Sequence, residues 1–158
     1  MKMQIGVIGA CICDADLYLM AEEVGYEIAR NGAFIICGGL GGVMEAAPRG
    51  AKKVGGTTIG ILPGDNRLSP NHYIDIAILS NMGHARNAII AQSCDALIAV
   101  GGEYGTLSEI ALALKMGKTV VTLESRWEIE GTIKADSPRE AVELALCAAG
   151  TGQDLSFF

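Results

Sequence analysis

Two stretches of the sequence carry residue types that could do chemistry together. "GGEYGTLSE", residues 101–109, leaves an apolar run through Gly101 and Gly102, turns again at Gly105, and enters a periodic segment through Thr106 and Glu109. Glycines next to a helix start let backbone N–H groups approach an anion, and a threonine hydroxyl there adds a further donor. The spacing of Thr106 and Glu109 is equally that of a capping box, in which the glutamate only satisfies the first helical turn. Upstream, "NMGHARN" places His84, Arg86 and Asn87 at the head of a helix. Arg86 offers a planar fork for phosphate or carboxylate, or a bridge to Asp95 or another surface acid, and His84 reads as a turn residue rather than a base.

A second glycine-rich stretch, "CGGLGGVME", holds Gly38, Gly39, Gly41 and Gly42. These glycines bring backbone amides near a phosphate or let a helix pack tightly on a sheet. Gly9, at the end of the first apolar run, is a third point of approach. The full G-x-G-x-x-G fingerprint is absent, and no Gly-Lys-Ser/Thr follows a glycine run, which argues against an ordinary ATPase or GTPase. The five cysteines, at 11, 13, 37, 94 and 147, lack zinc spacing. A nucleophilic thiol would need a histidine, and His72 and His84 are poorly placed for that.

The elements that must hold these loops alternate. Apolar runs at 4–10, 33–37, 57–63, 73–79, 95–100 and 119–123 read as strands, with a weak edge strand at 131–135. Between them lie helical segments. The first follows residue 14 and puts Leu19, Val24 or Glu23, and Ile28 at helical intervals. Residues 42–56 form another, which Pro48 should kink or divide. Residues 83–94 turn Ala85, Ile89 and Ile90 inward. The helix after Gly105 packs Leu107, Ile110, Ala111 and Leu114, and residues 137–150 form a helix capped by Ser137. Short apolar strands alternating with helices describe a single-domain α/β fold: Rossmann-like, doubly wound and mostly parallel, with helices on both faces, over residues 1–150, followed by a tail at 151–158. Ligands of such sheets sit at the carboxyl ends of the strands, so Gly9–Asp14, Gly38–Gly42, Gly64 onward, Gly101–Thr106 and Glu124 onward are the loops of interest.

Composition sets the bounds. A chain of 158 residues, half of them apolar, supports one core. A net charge of −6 with scattered bases leaves no footprint for nucleic acid. No charge-free run of roughly 18 apolar residues suggests a membrane span, and the odd cysteine count and the absence of a secretory signal at the start point to a cytoplasmic protein.

On Arg86, Gly102, Gly105, Thr106 and Glu109, together with Gly38, Gly39, Gly41 and Gly42, the chain resembles the LOG-like superfamily of small Rossmann proteins. That superfamily includes cytokinin-activating phosphoribohydrolases, molybdenum-cofactor carriers and bacterial proteins long labelled lysine decarboxylases. Its hallmark, Pro-Gly-Gly-x-Gly-Thr-x-x-Glu after an Arg-Lys pair, falls on Gly101 to Glu109 and on Arg86 and Asn87. The chain departs from it at Asn87, Gly101 and Glu103, and these departures are compatible with the carrier-like branch. The resemblance implies binding of a phosphorylated nucleotide-like or molybdenum-cofactor-like ligand, with its phosphate on Gly102, Gly105 and Thr106. Alternatively, it implies cleavage of the N-glycosidic bond of a nucleoside 5'-monophosphate, with Arg86 and Glu109 as the catalytic pair. Whether the site turns over stays open at this point. The resemblance also implies a homo-oligomer, dimer or tetramer. Pyridoxal phosphate does not fit, because the loops of interest offer no well-placed lysine for a Schiff base.

Overall fold

The computed structural model describes residues 1–150, and the expected tail at 151–158 lies outside them. The apolar runs form β1 (Gln4–Gly9), β2 (Phe34–Cys37), β3 (Thr58–Leu62), β4 (Ile76–Leu79), β5 (Ala96–Val100), β6 (Thr119–Leu123) and β7 (Ile133–Lys134). The helices are α1 (Ala15–Arg30), α2 (Val43–Lys52), α3 (Asn87–Ser93), α4 (Tyr104–Lys115) and α5 (Pro138–Gly150), with a 3-10 turn at Gly83–Arg86 leading into α3. The strands lie in the order β4-β3-β2-β1-β5-β6-β7 and every neighbouring pair is parallel. The winding reverses between β1 and β5, which makes the fold the expected doubly wound sheet.

Alternate strand residues feed opposite cores, as the pleat requires. Ile5, Val7, Ile35, Ile98 and Val121 meet α1, α2 and α5 on one face. Ile8, Ile36, Ile61, Leu97, Ala99 and Val120 meet α3 and α4 on the other. β5, buried at every residue, needs apolar side chains on both faces, so its sequence shows no alternation. Among the described residues no helix is long and apolar enough to cross a membrane.

Four local expectations change. In α1, Val24 and Ile28 are buried but Leu19 is 60% exposed. The inward stripe runs instead through Leu17, Ala21, Val24 and Ile28. The segment from 83 starts as a 3-10 turn, whose three residues per turn shift the phase, so Ala85 is exposed and Ile90, not Ile89, is fully buried. In α4 the buried face is Thr106, Glu109, Ile110 and Ala113, while Leu107 and Leu114 are half-buried and Ala111 is exposed. Finally, α2 runs through Pro48 without dividing.

Candidate functional site

The reversal point between β1 and β5 is where two loops part to opposite faces and leave a crevice. Gly9 is the last residue of β1, and Gly101 and Gly102 follow β5. At Gly102 the backbone has φ of +112° and a Cβ would lie 2.5 Å from the Thr106 side chain, so only glycine fits. α4 then opens at Tyr104, with Glu103 as an extended N-cap that makes no side-chain cap bond. Thr106 is therefore inside the helix, and the Thr106–Glu109 capping box does not form. The first amide of this turn with a backbone partner is that of Leu107, which donates to Glu103 O at 2.9 Å. The amides of Gly102, Glu103, Tyr104, Gly105 and Thr106 donate to no partner among the described residues. Such free donors at a helix start carry partial positive charge.

Gly105 differs from its neighbours. It is exposed, it has no left-handed backbone, and nothing lies within 4 Å of where its Cβ would be. Neither packing nor backbone geometry calls for glycine at this position, where a helix favours alanine by roughly 0.5–1 kcal/mol.

Arg86 closes the 3-10 turn and is 7% exposed. Its Nε donates to Ile61 O at 2.8 Å, its Nη2 to Gly38 O at 3.4 Å and its Nη1 to Asn87 Oδ1. The guanidinium thus bridges the carboxyl ends of β2 and β3. Of its five N–H groups three are engaged, leaving two without a partner among the described residues. The alternative pairing with Asp95 does not occur: the Asp95 carboxylate accepts the Gln4 amide at 2.8 Å instead. A Cβ on Gly38 would sit 2.6 Å from Arg86 Nη2, so the guanidinium occupies the space that a side chain at 38 would fill. Asn87, buried, also reaches Ser108 Oγ at 3.4 Å and so links Arg86 to α4.

Glu109 lies on the buried face of α4 beside Thr106, and each of Arg86 and Glu109 feels the other's charge. Burial pushes the Glu109 carboxyl up to about 7, and Arg86 offsets only part of that rise. Burial also lowers the Arg86 pKa, with Glu109 opposing. A carboxyl that titrates near neutrality next to a cation can hold or release a proton at physiological pH. The neighbouring Cys37 is fully buried, which raises its thiol to about 12, and it donates to Met44 O at 3.4 Å. It is a packed thiol and not a nucleophile. His72 and His84 are both exposed.

A cavity of about 640 Å³ opens on the α1 side of the crevice between Ile12, Cys13, Gly101, Gly102 and Arg126. Asp14, Asp16, Glu103 and Glu124 also line it. Arg86, Thr106 and Glu109 do not line this cavity, and Gly102 stands between the two halves of the site. The loop of Gly38, Gly39, Gly41 and Gly42 joins β2 to α2, with Gly42 as the N-cap and the Val43 amide donating to Ala10 O at 3.0 Å. Of the carboxylates around the cavity, Asp14 and Glu124 lie in loops the sequence marks as bordering a ligand and Glu103 in its glycine-rich turn, whereas Asp16 was not singled out; Asp14 also caps α1 by accepting the Leu17 amide at 2.8 Å.

The model of the SLOG cluster4 family matches residues 2–149. An uncharacterised protein of Archaeoglobus fulgidus is 52% identical over 147 residues, spanning 93% of this chain and 97% of that one. The structure of the molybdenum cofactor binding protein from Rippkaea orientalis is similar, with a TM-score of 0.87 and 38% identity over 93% of this chain and 97% of that one. The molybdenum cofactor carrier protein of Chlamydomonas reinhardtii gives a TM-score of 0.88 at 35% identity, covering 95% and 99% respectively. A cytokinin riboside 5'-monophosphate phosphoribohydrolase of Mycobacterium tuberculosis is 35% identical over 100 residues, which span 61% of this chain and 53% of that enzyme.

Proposed function

This chain belongs to the SLOG cluster4 family, and on that premise we propose that it retains a phosphorylated, nucleotide-like or molybdenum-cofactor-like ligand, with the phosphate seated over the start of α4. The observation that carries this reading is Gly105. It is a glycine that the fold does not need, in a helical turn whose five preceding and flanking amides, 102–106, have no partner among the described residues. A ligand oxygen drawn onto those amides explains both features, since it would leave no room for a methyl group. The long, near-complete likeness to the two molybdenum-cofactor proteins supports retention over turnover.

The pairing of Arg86 and Glu109 favours a second reading. A carboxyl group near neutrality beside a buried guanidinium suits stabilisation of positive charge at an anomeric carbon or orientation of a water, as in N-glycosidic cleavage. The shorter match to the phosphoribohydrolase supports it. Incubation of the purified protein with a panel of nucleoside 5'-monophosphates, with assay of free base and ribose 5-phosphate, separates the two. Ligand retention without product is the expected result. Release of base that disappears in Glu109→Gln would replace retention by hydrolysis.

A further inference from the structure

Asn71 belongs to no motif, yet its side chain is wholly engaged by the glycine-rich loop and its own turn. Nδ2 donates to Leu40 O at 2.8 Å and to Met44 O at 3.0 Å, and Oδ1 accepts the Tyr73 amide at 3.0 Å. Its backbone amide donates to Gly39 O at 2.9 Å. Both amide protons and the carbonyl oxygen of the side chain are therefore in use.

Two consequences follow from elementary geometry. In an α-helix the Met44 carbonyl would accept the amide of residue 48, but that residue is proline and has no N–H. Asn71, on the connection between β3 and β4, fills the vacant position, with the Cys37 thiol as a second donor. The other consequence concerns peptide planes. No peptide bond in the described chain is cis, so fixing the carbonyl of one residue turns the N–H of the next to the opposite side. With the Gly39 and Leu40 oxygens drawn toward Asn71, the amides of Leu40 and Gly41 point away from it. Neither donates to a partner among the described residues.

We infer that Asn71 is a positioning residue of the ligand site: by holding the Gly39 and Leu40 carbonyls on its own side, it presents the Leu40 and Gly41 amides as adjacent donors for an anionic oxygen. Successive amides on one side of a loop form an anion-binding concavity. The identity of the acceptor rests on the proposed phosphorylated ligand. The orientation of the loop does not.

Asn71→Ala alone would also lower stability, because Met44 O loses one of its two donors and the Tyr73 amide loses its acceptor. Pro48→Ala supplies the missing helical N–H to Met44 O without touching Leu40, so the double variant separates folding from positioning. Three readouts are compared: melting temperature, hydrogen exchange of peptides covering residues 38–42 without ligand, and affinity for adenosine 5'-monophosphate. Pro48→Ala is expected to bind within about twofold of wild type, one hydrogen bond's context error. Asn71→Ala should melt several degrees lower, and the double variant should regain the part of that loss that belongs to Met44 O, while the bonds to Leu40 O and the Tyr73 amide stay lost. The double variant should still exchange faster across 38–42 and bind about tenfold more weakly, the effect of one lost hydrogen bond. Recovery of slow exchange and affinity together with melting temperature would make Asn71 a purely structural residue and overturn the inference. If wild type binds no adenosine 5'-monophosphate, the ligand reading fails for that class, and the exchange data alone decide whether Asn71 holds the loop.

Discussion

Gly105→Ala should make the protein more stable and a poorer binder at once. The residue is exposed and helical, with open space where a Cβ would go, so alanine should gain about 0.5–1 kcal/mol from reduced unfolded-state entropy. For a domain of this size that is a rise of roughly 1–4 °C in Tm. The same methyl group would stand where the proposed phosphate approaches the amides of 102–106. Forcing a methyl into an occupied contact costs about 1–3 kcal/mol, or roughly five- to 150-fold in affinity. Thermal unfolding with and without a nucleoside 5'-monophosphate reads both effects. At a hundredfold excess over Kd a ligand specific for the native state stabilises wild type by about 2.7 kcal/mol, and the variant should lose about 1–2.4 kcal/mol of that increment while its ligand-free Tm rises. Gly102→Ala is the internal control. Its φ of +112° and the 2.5 Å approach to Thr106 should lower Tm, with a cost of about 1–3 kcal/mol for the backbone alone. A stabilised Gly105→Ala that still binds with wild-type affinity would refute the placement of the ligand, and a destabilised one would refute the reasoning about why glycine is there.

Further outcomes follow from the same geometry. The folded Glu109 pKa, about 7, lies above the ordinary 4.5, so between these values the native state binds more protons and its stability falls as pH rises. Glu109→Gln should flatten that slope, and its Tm relative to wild type should be higher at pH 8 than at pH 4.5. Arg86→Met removes the cation that restrains the Glu109 pKa, so the pH-dependent fall in stability should extend to higher pH, as followed by denaturant midpoints across the range. Asp14→Ala deletes the bond to the Leu17 amide and should cost about 1 kcal/mol, read by chemical denaturation.

The alternation of short apolar strands with helices was enough to expect the doubly wound sheet, because strands buried on both faces cannot hide their composition. Arg86 stood out as an arginine in a chain without basic clusters, and the structure buries it between the ends of β2 and β3. The face of α4 was not legible. "TLSEIALAL" offers more than one apolar stripe, and the choice that buries Thr106 and Glu109 is made by α3 and the strands β1, β5 and β6 against which α4 packs, none of which the stretch itself contains. The place of Glu103 in the cavity wall was not legible for a related reason, since it depends on the crevice beside α1. Asn71 was invisible because its bonds go to backbone carbonyls 27 and 31 residues away, a contact that leaves no pattern of side-chain types.

The most direct measurement is a crystal structure of the protein soaked or grown with a nucleoside 5'-monophosphate. The expected result is a phosphate within hydrogen-bonding distance of the amides between Gly102 and Thr106, in van der Waals contact with Cα of Gly105. Phosphate density at any other part of the molecule, with those amides facing only solvent, would contradict the central claim.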